Sequence, residues 1–197
     1  MDEKIDKLYD IYKKLLSKTG RADNKFLTYL DFNKFKTQPA STQWHYDCEG
    51  GLLVHSLNTY VQLKKLCKLY NVEADDNSLV MIGLLHDLCK INAYVWSTRQ
   101  EKYIHLVDDL PVGHAEKSII MAQKFVQLTD DEIVAIRWHM GAWRLDKTCK
   151  EDNNHFNKAI DNPLVLLTHI ADWVSVKIIE VDFEKNVDDL LEELSEE

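Results

Sequence analysis

The sequence predicts an all-α fold built as a helical bundle. Two observations carry this: glycine and proline are scarce, at 6 and 3 of 197 residues, and apolar side chains recur at three- and four-residue spacing. A third is that only one stretch, about 91–112, reads as anything but helix. Hydrophobic residues make up 45% and aromatics 10% of the chain, enough for a sizeable core in one domain spanning 1–197.

The first helix carries the stripe Ile5, Leu8, Tyr12, Leu15 and Leu16 and ends near Gly20. A second runs from Gly50 to about Tyr70, with Leu53, Leu57, Tyr60, Val61 and Leu66 inward and His55 near its start. A third spans Asn77 to about Cys89 and includes the apolar run L-V-M-I-G-L-L. In the segment Ile91 to Val112, Tyr94, Trp96, Tyr103 and Leu106 flank a polar centre, Ser97 to Lys102, which predicts a β-hairpin or irregular flap. Helical spacing resumes at His114. Thr129 and Glu132 form a capping-box pattern opening a helix to His139 and Met140, closed by Gly141. Asn162 caps a helix with Pro163 at its first position and an apolar run from Leu164 to Ile179. The acidic tail 188–197 reads as a short solvated helix or frayed end.

Composition narrows the function. A net charge of −9 argues against a long nucleic-acid track, since phosphate affinity comes from clustered Lys and Arg. A small anionic substrate stays open, because a bound cation can reverse the local potential. No run approaches a membrane span, and Met1-Asp2-Glu3-Lys4 lacks a signal-peptide start, so the expected compartment is the cytoplasm. Cys48, Cys67, Cys89 and Cys149 form no C-x-x-C pair and read as reduced structural thiols.

The chemistry gathers in His55, His86, Asp87, His114, His139 and Asp172, each at or inside an apolar helix. Taken singly, each has a plain structural reading: a buried histidine can be a hydrogen-bonded core residue, and Asp172 can cap a helix or pair with an arginine. The His86-Asp87 doublet is harder to explain that way, because two polar groups need partners at one buried place. Imidazole and carboxylate together suit one or two divalent ions of Mn, Fe, Co, Ni or Zn, with Asp87 bridging a pair. Adjacent residues on a helix diverge by about 100°, so His86 and Asp87 can serve one centre only across the crease between them. His105 and His155 are expected to be exposed, the latter in a polar loop. His169, one turn before Asp172, is either a supporting group behind the ligands or a packed helix residue.

In order and setting, His55, His86-Asp87, His114, His139 and Asp172 resemble the HD superfamily of metal-dependent phosphohydrolases, over roughly residues 35–180. The stretch "FKTQPASTQWHYDCEGGLLVHSL" is similar to a subgroup with a Pro-Ala-rich segment and a further histidine, here His45, ahead of the first ligand. Bacterial 3′–5′ exoribonucleases and relaxase-type proteins share it, and "DDLPVGHAEKSII" to "IRWHMG" is similar to small stand-alone HD hydrolases of bacteria and phages. The resemblance implies that His55, His86, Asp87 and Asp172 are the core metal ligands and that His114 and His139 hold a second ion. It implies hydrolysis of a phosphoester of a nucleotide or other small phosphorylated metabolite by metal-activated hydroxide. Residues 1–34 are too short for the nucleic-acid-binding barrel of the exoribonucleases, which weakens the competing reading of a nuclease on short single strands. A non-catalytic regulatory metal- or ligand-binding module and a di-iron oxygenase are also compatible with such a ligand set.

Asp87 and Lys90 are the expected catalytic pair: Asp87 orients the nucleophile, and Lys90, one turn on, serves the leaving oxygen or else settles a helix C-terminus. Lys117 and Arg137 are candidate phosphate contacts, and His45 a candidate cleft residue. Tyr94, Trp96, Trp138, Trp143 and Trp173 are candidate base-stacking or core aromatics. The flap would close over such a ligand, and the exposed faces of the first helix leave room for a homodimer.

Overall fold

The computed structural model describes residues 1–42, 46–106 and 110–195, with the side chain of Arg144 left out. His45 therefore lies outside the described residues, as do 107–109 of the predicted flap. Nine α-helices are present among the described residues: α1 Asp2–Lys18, α2 Asn24–Phe32, α3 Gly51–Tyr70, α4 Asp76–Leu85, α5 His114–Ala122, α6 Asp130–Arg137, α7 Lys150–Ile160, α8 Pro163–Val174 and α9 Phe183–Glu193. The predicted all-α class holds.

The centre of the bundle is α3. Sequence spacing predicts one inward stripe, yet Leu52, Leu53, Val54, Leu57 and Leu63 are all fully buried, so this helix is enclosed on every side near its start. It packs against α4 and α8, while α1 and α9 close it from another side. The contact with α4 is very close, because a Cβ built on Gly83 would lie 2.5 Å from the Tyr60 Cα and 2.8 Å from its backbone nitrogen. Tyr12 on α1 donates from its hydroxyl to the Leu84 carbonyl at 2.8 Å, which ties the N-terminal helix to the end of α4.

The expected helix from Asn77 to Cys89 is shorter than its apolar run. α4 ends at Leu85, His86 is its cap, and Asp87 leaves helical geometry at φ −113°, ψ 21° before a 3₁₀ turn over Leu88–Asn92. The break removes the divergence that an unbroken helix would impose on His86 and Asp87. Similarly, α8 is followed by a π-helical turn at Ser175–Ile179, in which the Glu180 amide donates to the Ser175 carbonyl at 2.9 Å.

The flap is a hairpin of β1 Tyr94–Ser97 and β2 Lys102–His105, antiparallel, with Tyr94 opposite His105 and Trp96 opposite Tyr103. Glu101 takes the left-handed position at φ 49° that glycine would usually fill, which is why no turn signal marks it in the sequence. Two further helices carry no clear stripe in the sequence. The cap of α2 is Asp23, which accepts from the Phe26 amide at 3.0 Å, and α7 is a mostly exposed helix held through Phe156 against Trp138. His155 is exposed as expected, but on α7 and not in a loop.

Both predicted caps are present: Thr129 and Glu132 exchange reciprocal bonds, and Asn162 accepts from the Leu164 amide with Pro163 at the first position. The buried Glu132 also accepts from both Arg21 Nη atoms, at 2.6 and 2.7 Å, and from the Ser78 hydroxyl at 2.7 Å, locking α6 to the start of α4. The acidic C-terminal stretch is half of an amphipathic helix. Val187 and Leu190 on α9, and Leu194 after it, are buried, so its apolar side belongs to the core. All four cysteines are free thiols, and no helix among the described residues is long and apolar enough to cross a membrane.

Gly83→Ala should push α3 and α4 apart and destabilise the protein by about 1–3 kcal/mol, as overpacked cores do. Chemical denaturation of wild type and variant measures the difference; an unchanged midpoint would contradict so close a crossing.

Candidate metal centre

Five helices deliver the six predicted ligands to one buried place. His55 lies one turn into α3, His86 and Asp87 lie at the break after α4, His114 opens α5, His139 follows α6, and Asp172 lies on α8. They form two groups whose ligand atoms each lie within 4.8 Å of one another: His55, His86 and Asp172, and Asp87, His114 and His139. All are buried except His114, which is half-buried at the edge.

Asp87 stands between the groups. Its Oδ2 is 3.4 Å from His55 Nε2 and 3.5 Å from His86 Nε2, while its Oδ1 is 3.9 Å from His114 Nε2 and 3.8 Å from His139 Nε2. Asp172 Oδ1 lies 3.4 Å from His55 Nε2.

The imidazoles are held from behind. Nδ1 of His86 donates to the Gly83 carbonyl at 2.9 Å and Nδ1 of His139 to the Ile136 carbonyl at 2.7 Å. Nδ1 of His55 faces Glu180 Oε1 at 2.7 Å. With a proton held on Nδ1 by a carbonyl, the Nε2 atoms of His86 and His139 present lone pairs to the site. Yet the two Nε2 atoms of His55 and His86 are 3.1 Å apart, and those of His114 and His139 are 3.0 Å apart. Two imidazole nitrogens at that distance need a proton or a cation between them. Two nitrogens bound to one ion at about 2.0–2.1 Å lie about 3 Å apart, so both pairs fit a shared ion.

Charge points the same way. Three buried carboxylates, Asp87, Asp172 and Glu180, share the site with one ammonium, Lys90, whose Nζ is 2.6 Å from Asp87 Oδ2. Oδ1 of Asp87 is buried without a hydrogen-bond partner. A bare, desolvated carboxylate oxygen aimed at two imidazole nitrogens is an electron-pair donor lacking its acceptor. The field is strongly negative: burial alone would depress His55, but Glu180, Asp87 and Asp172 outweigh it and lift the imidazole to about 10. Burial holds His86 well below the usual histidine range and pushes Asp172 up. Asp87 is raised by burial but lowered more by Lys90 and the neighbouring imidazoles, and stays ionised. Donor set, spacing and excess charge therefore all suit divalent cations.

The sequence pattern of the HD domain matches residues 52–177, from the first turn of α3 through the π turn, more than half of the chain. The chain belongs to the HD domain family. The match encloses all six predicted ligands of this HD protein. The chain is also similar to the dihydroneopterin 2′,3′-cyclic phosphate phosphodiesterase of Methanocaldococcus jannaschii, 38% identical over 61 residues, which is 29% of this chain and 24% of that protein. It thus spans about a quarter of the length of the curated relative it matches. No solved structure matches the chain.

The remaining predicted site residues are placed as follows. Lys90 lies on the 3₁₀ turn with its ammonium 2.6 Å from Asp87 Oδ2. Arg137 is paired with Glu116 at 2.7 Å and lies 4.3 Å over the Trp138 ring. It lines a cavity of about 190 Å³ with His114, Glu116 and Met140. Lys117 is half-buried on α5. His169 resolves as a supporting group: its Nδ1 donates to the His139 carbonyl at 2.6 Å, and its ring fills the space beside Gly141.

Sequence reasoning missed Glu180. This fully buried carboxylate orients His55 and accepts from Asn58 Nδ2 at 3.3 Å. Its signal was a lone acid inside the apolar run K-I-I-E-V, and it lies just beyond the family match. A carboxylate behind a ligating histidine fixes its tautomer and strengthens it as a donor. Glu180→Gln should therefore weaken binding of added Mn²⁺ or Zn²⁺ by about 10- to 100-fold, read by competition with a chelator. Unchanged affinity would show that Glu180 only fills the core.

Proposed function

We propose that this HD protein is a metal-dependent phosphohydrolase that cleaves a phosphoester of a nucleotide or similar small phosphorylated metabolite. The observation that carries the reading is Asp87, whose two oxygens face two separate groups of imidazoles inside a cleft of excess negative charge. His55, His86 and Asp172 would hold one ion, His114 and His139 the other, and Asp87 would touch both. Such ions acidify water to a nucleophile near neutral pH and neutralise charge on phosphoryl oxygens.

The chain's own groups supply the rest. The Asp87 carboxylate, kept ionised by Lys90 and the neighbouring imidazoles, orients the nucleophile. Lys90 is raised above the usual lysine range: burial opposes its charge but Asp87 overrides it. It therefore acts as a fixed positive charge for the leaving oxygen more readily than as a proton donor. Arg137 and Lys117, on α6 and α5 with His114, are the proposed contacts for non-reacting phosphate oxygens, and His45 stays a candidate substrate contact from the sequence alone. The HD family and the phosphodiesterase name of the archaeal relative support phosphoester hydrolysis, and that relative's cyclic diester makes a small diester a natural candidate besides monoesters. The net charge of −9 favours a small substrate over a polynucleotide.

Mn²⁺-loaded protein should release phosphate or open the ester of nucleoside monophosphates or 2′,3′-cyclic nucleotides, and leave oligonucleotides intact. Asp87→Ala should lose both bound metal and turnover. Lys90→Ala should keep its metal and lose about 10²- to 10³-fold in kcat, the usual cost of one transition-state charge partner. Turnover of oligonucleotides alone would favour the nuclease reading, and full metal retention without any turnover would favour a regulatory module.

A further inference from the structure

Of the aromatic residues near the site, two tryptophans from different elements pack on each other. Trp138 is buried against Phe156, and Trp96, 51% exposed, meets Tyr103 edge-on across the hairpin. Trp143 and Trp173 instead pack on each other at the surface, with ring centroids 5.5 Å apart, 34° between planes, and 68% and 37% exposure. Two tryptophans that leave so much ring in water gain little from each other alone. An exposed aromatic pair of this kind offers a face for a third ring.

Its position relates it to the metal centre. Trp173 follows Asp172 directly, so their Cα atoms are about 3.8 Å apart and their side chains diverge by about 100° around α8. Trp143 lies on the 3₁₀ turn Gly141–Arg144, four residues after His139. That turn is pinned from two directions. Gly141, at φ 57°, sits so close to the His169 ring that a Cβ would meet it at 2.7 Å, and His169 in turn donates to the His139 carbonyl at 2.6 Å. The same His169 ring lies edge-on to Trp173, with centroids 6.1 Å apart. One imidazole therefore meets the Trp173 ring, the first residue of the turn that carries Trp143, and the His139 carbonyl. Lys177 Nζ, 5.9 Å from the Trp173 ring centre, adds a cation beside the pair.

We propose that Trp143 and Trp173 form a stacking platform on the rim of the centre for the flat heteroaromatic ring of the substrate, with Trp143 as the open face. The proposal rests on the phosphohydrolase reading and narrows its substrate to esters that carry a nucleobase-like or similarly planar ring. Stacking tolerates many rings because each offers a π face, so Trp143 sets the class of substrate and not its pattern of functional groups.

The test compares ligands that share a phosphate and differ in the ring. Mn²⁺-loaded wild type, Trp143→Ala and Trp143→Phe are titrated with guanosine 5′-monophosphate, adenosine 5′-monophosphate and ribose 5-phosphate. Binding is read by calorimetry and by intrinsic tryptophan fluorescence, with chain mass followed by light scattering. The proposal expects the nucleotides to bind wild type at least about tenfold tighter than ribose 5-phosphate and to quench its fluorescence. Trp143→Ala should erase that preference, and Trp143→Phe should restore most of it. Equal binding of all three ligands to wild type, or an unchanged preference in Trp143→Ala, overturns the platform and leaves the phosphohydrolase reading intact. So does a dimer that becomes a monomer in Trp143→Ala while the preference stays, since the pair would then cover a second copy. If no ligand binds and no phosphoester is turned over, the reading beneath it fails and the platform falls with it.

Discussion

The placement of the Asp87 carboxylate is the constraint on which the rest of the molecule depends. It is buried, ionised, and touched by Lys90 on one oxygen while the other meets only imidazole nitrogens. A helical core tolerates such a group only where compensating charge is brought to it, and the bundle's helices end or break where they reach it. α4 stops at His86, α5 begins at His114, α6 ends two residues before His139, and α8 passes into a π turn ahead of Glu180. Helix ends provide side chains that converge on a point, which the middles of straight helices packed side by side do less well.

Those ends also supply the second layer of the centre. The last carbonyls of a helix lack intrahelical partners. Here two of them are used: Gly83 accepts from His86 and Ile136 from His139, in each case from an imidazole three residues on. The same interaction caps the helix, selects the tautomer and aims Nε2 inward. His55 lies inside α3, where carbonyls are already taken, and the buried Glu180 takes that part instead. The four Nε2 atoms are thus set in pairs 3.0–3.1 Å apart by the fold itself.

Much of this was legible in the sequence because the signals were local. The His86-Asp87 doublet at the end of an apolar run, the Thr129–Glu132 capping box and Asn162 before Pro163 are each read within a few residues; both caps are found where expected, while the doublet lies at the end of α4 and not inside a longer helix. What was not legible depended on partners distant in the chain. No glycine or proline just after Leu85 says that the helix stops, and the break falls where Asp87 meets its ion pair and imidazoles. Glu180 is distinguished only by its contact with His55, 125 residues earlier. The polar helix α7 and the apolar side of α9 were obscured by composition: few apolar residues in one, a run of acids in the other.

The central claim is that two groups of imidazole and carboxylate, joined through Asp87, hold divalent transition-metal ions. The most direct measurement is elemental analysis of protein purified without chelators, counted per chain, together with X-ray absorption at the edge of the metal found. The account predicts one or two transition-metal ions per chain with imidazole nitrogens at about 2.0–2.2 Å. A folded protein that stays metal-free after exposure to Mn²⁺, Fe²⁺, Co²⁺, Ni²⁺ and Zn²⁺ would contradict it.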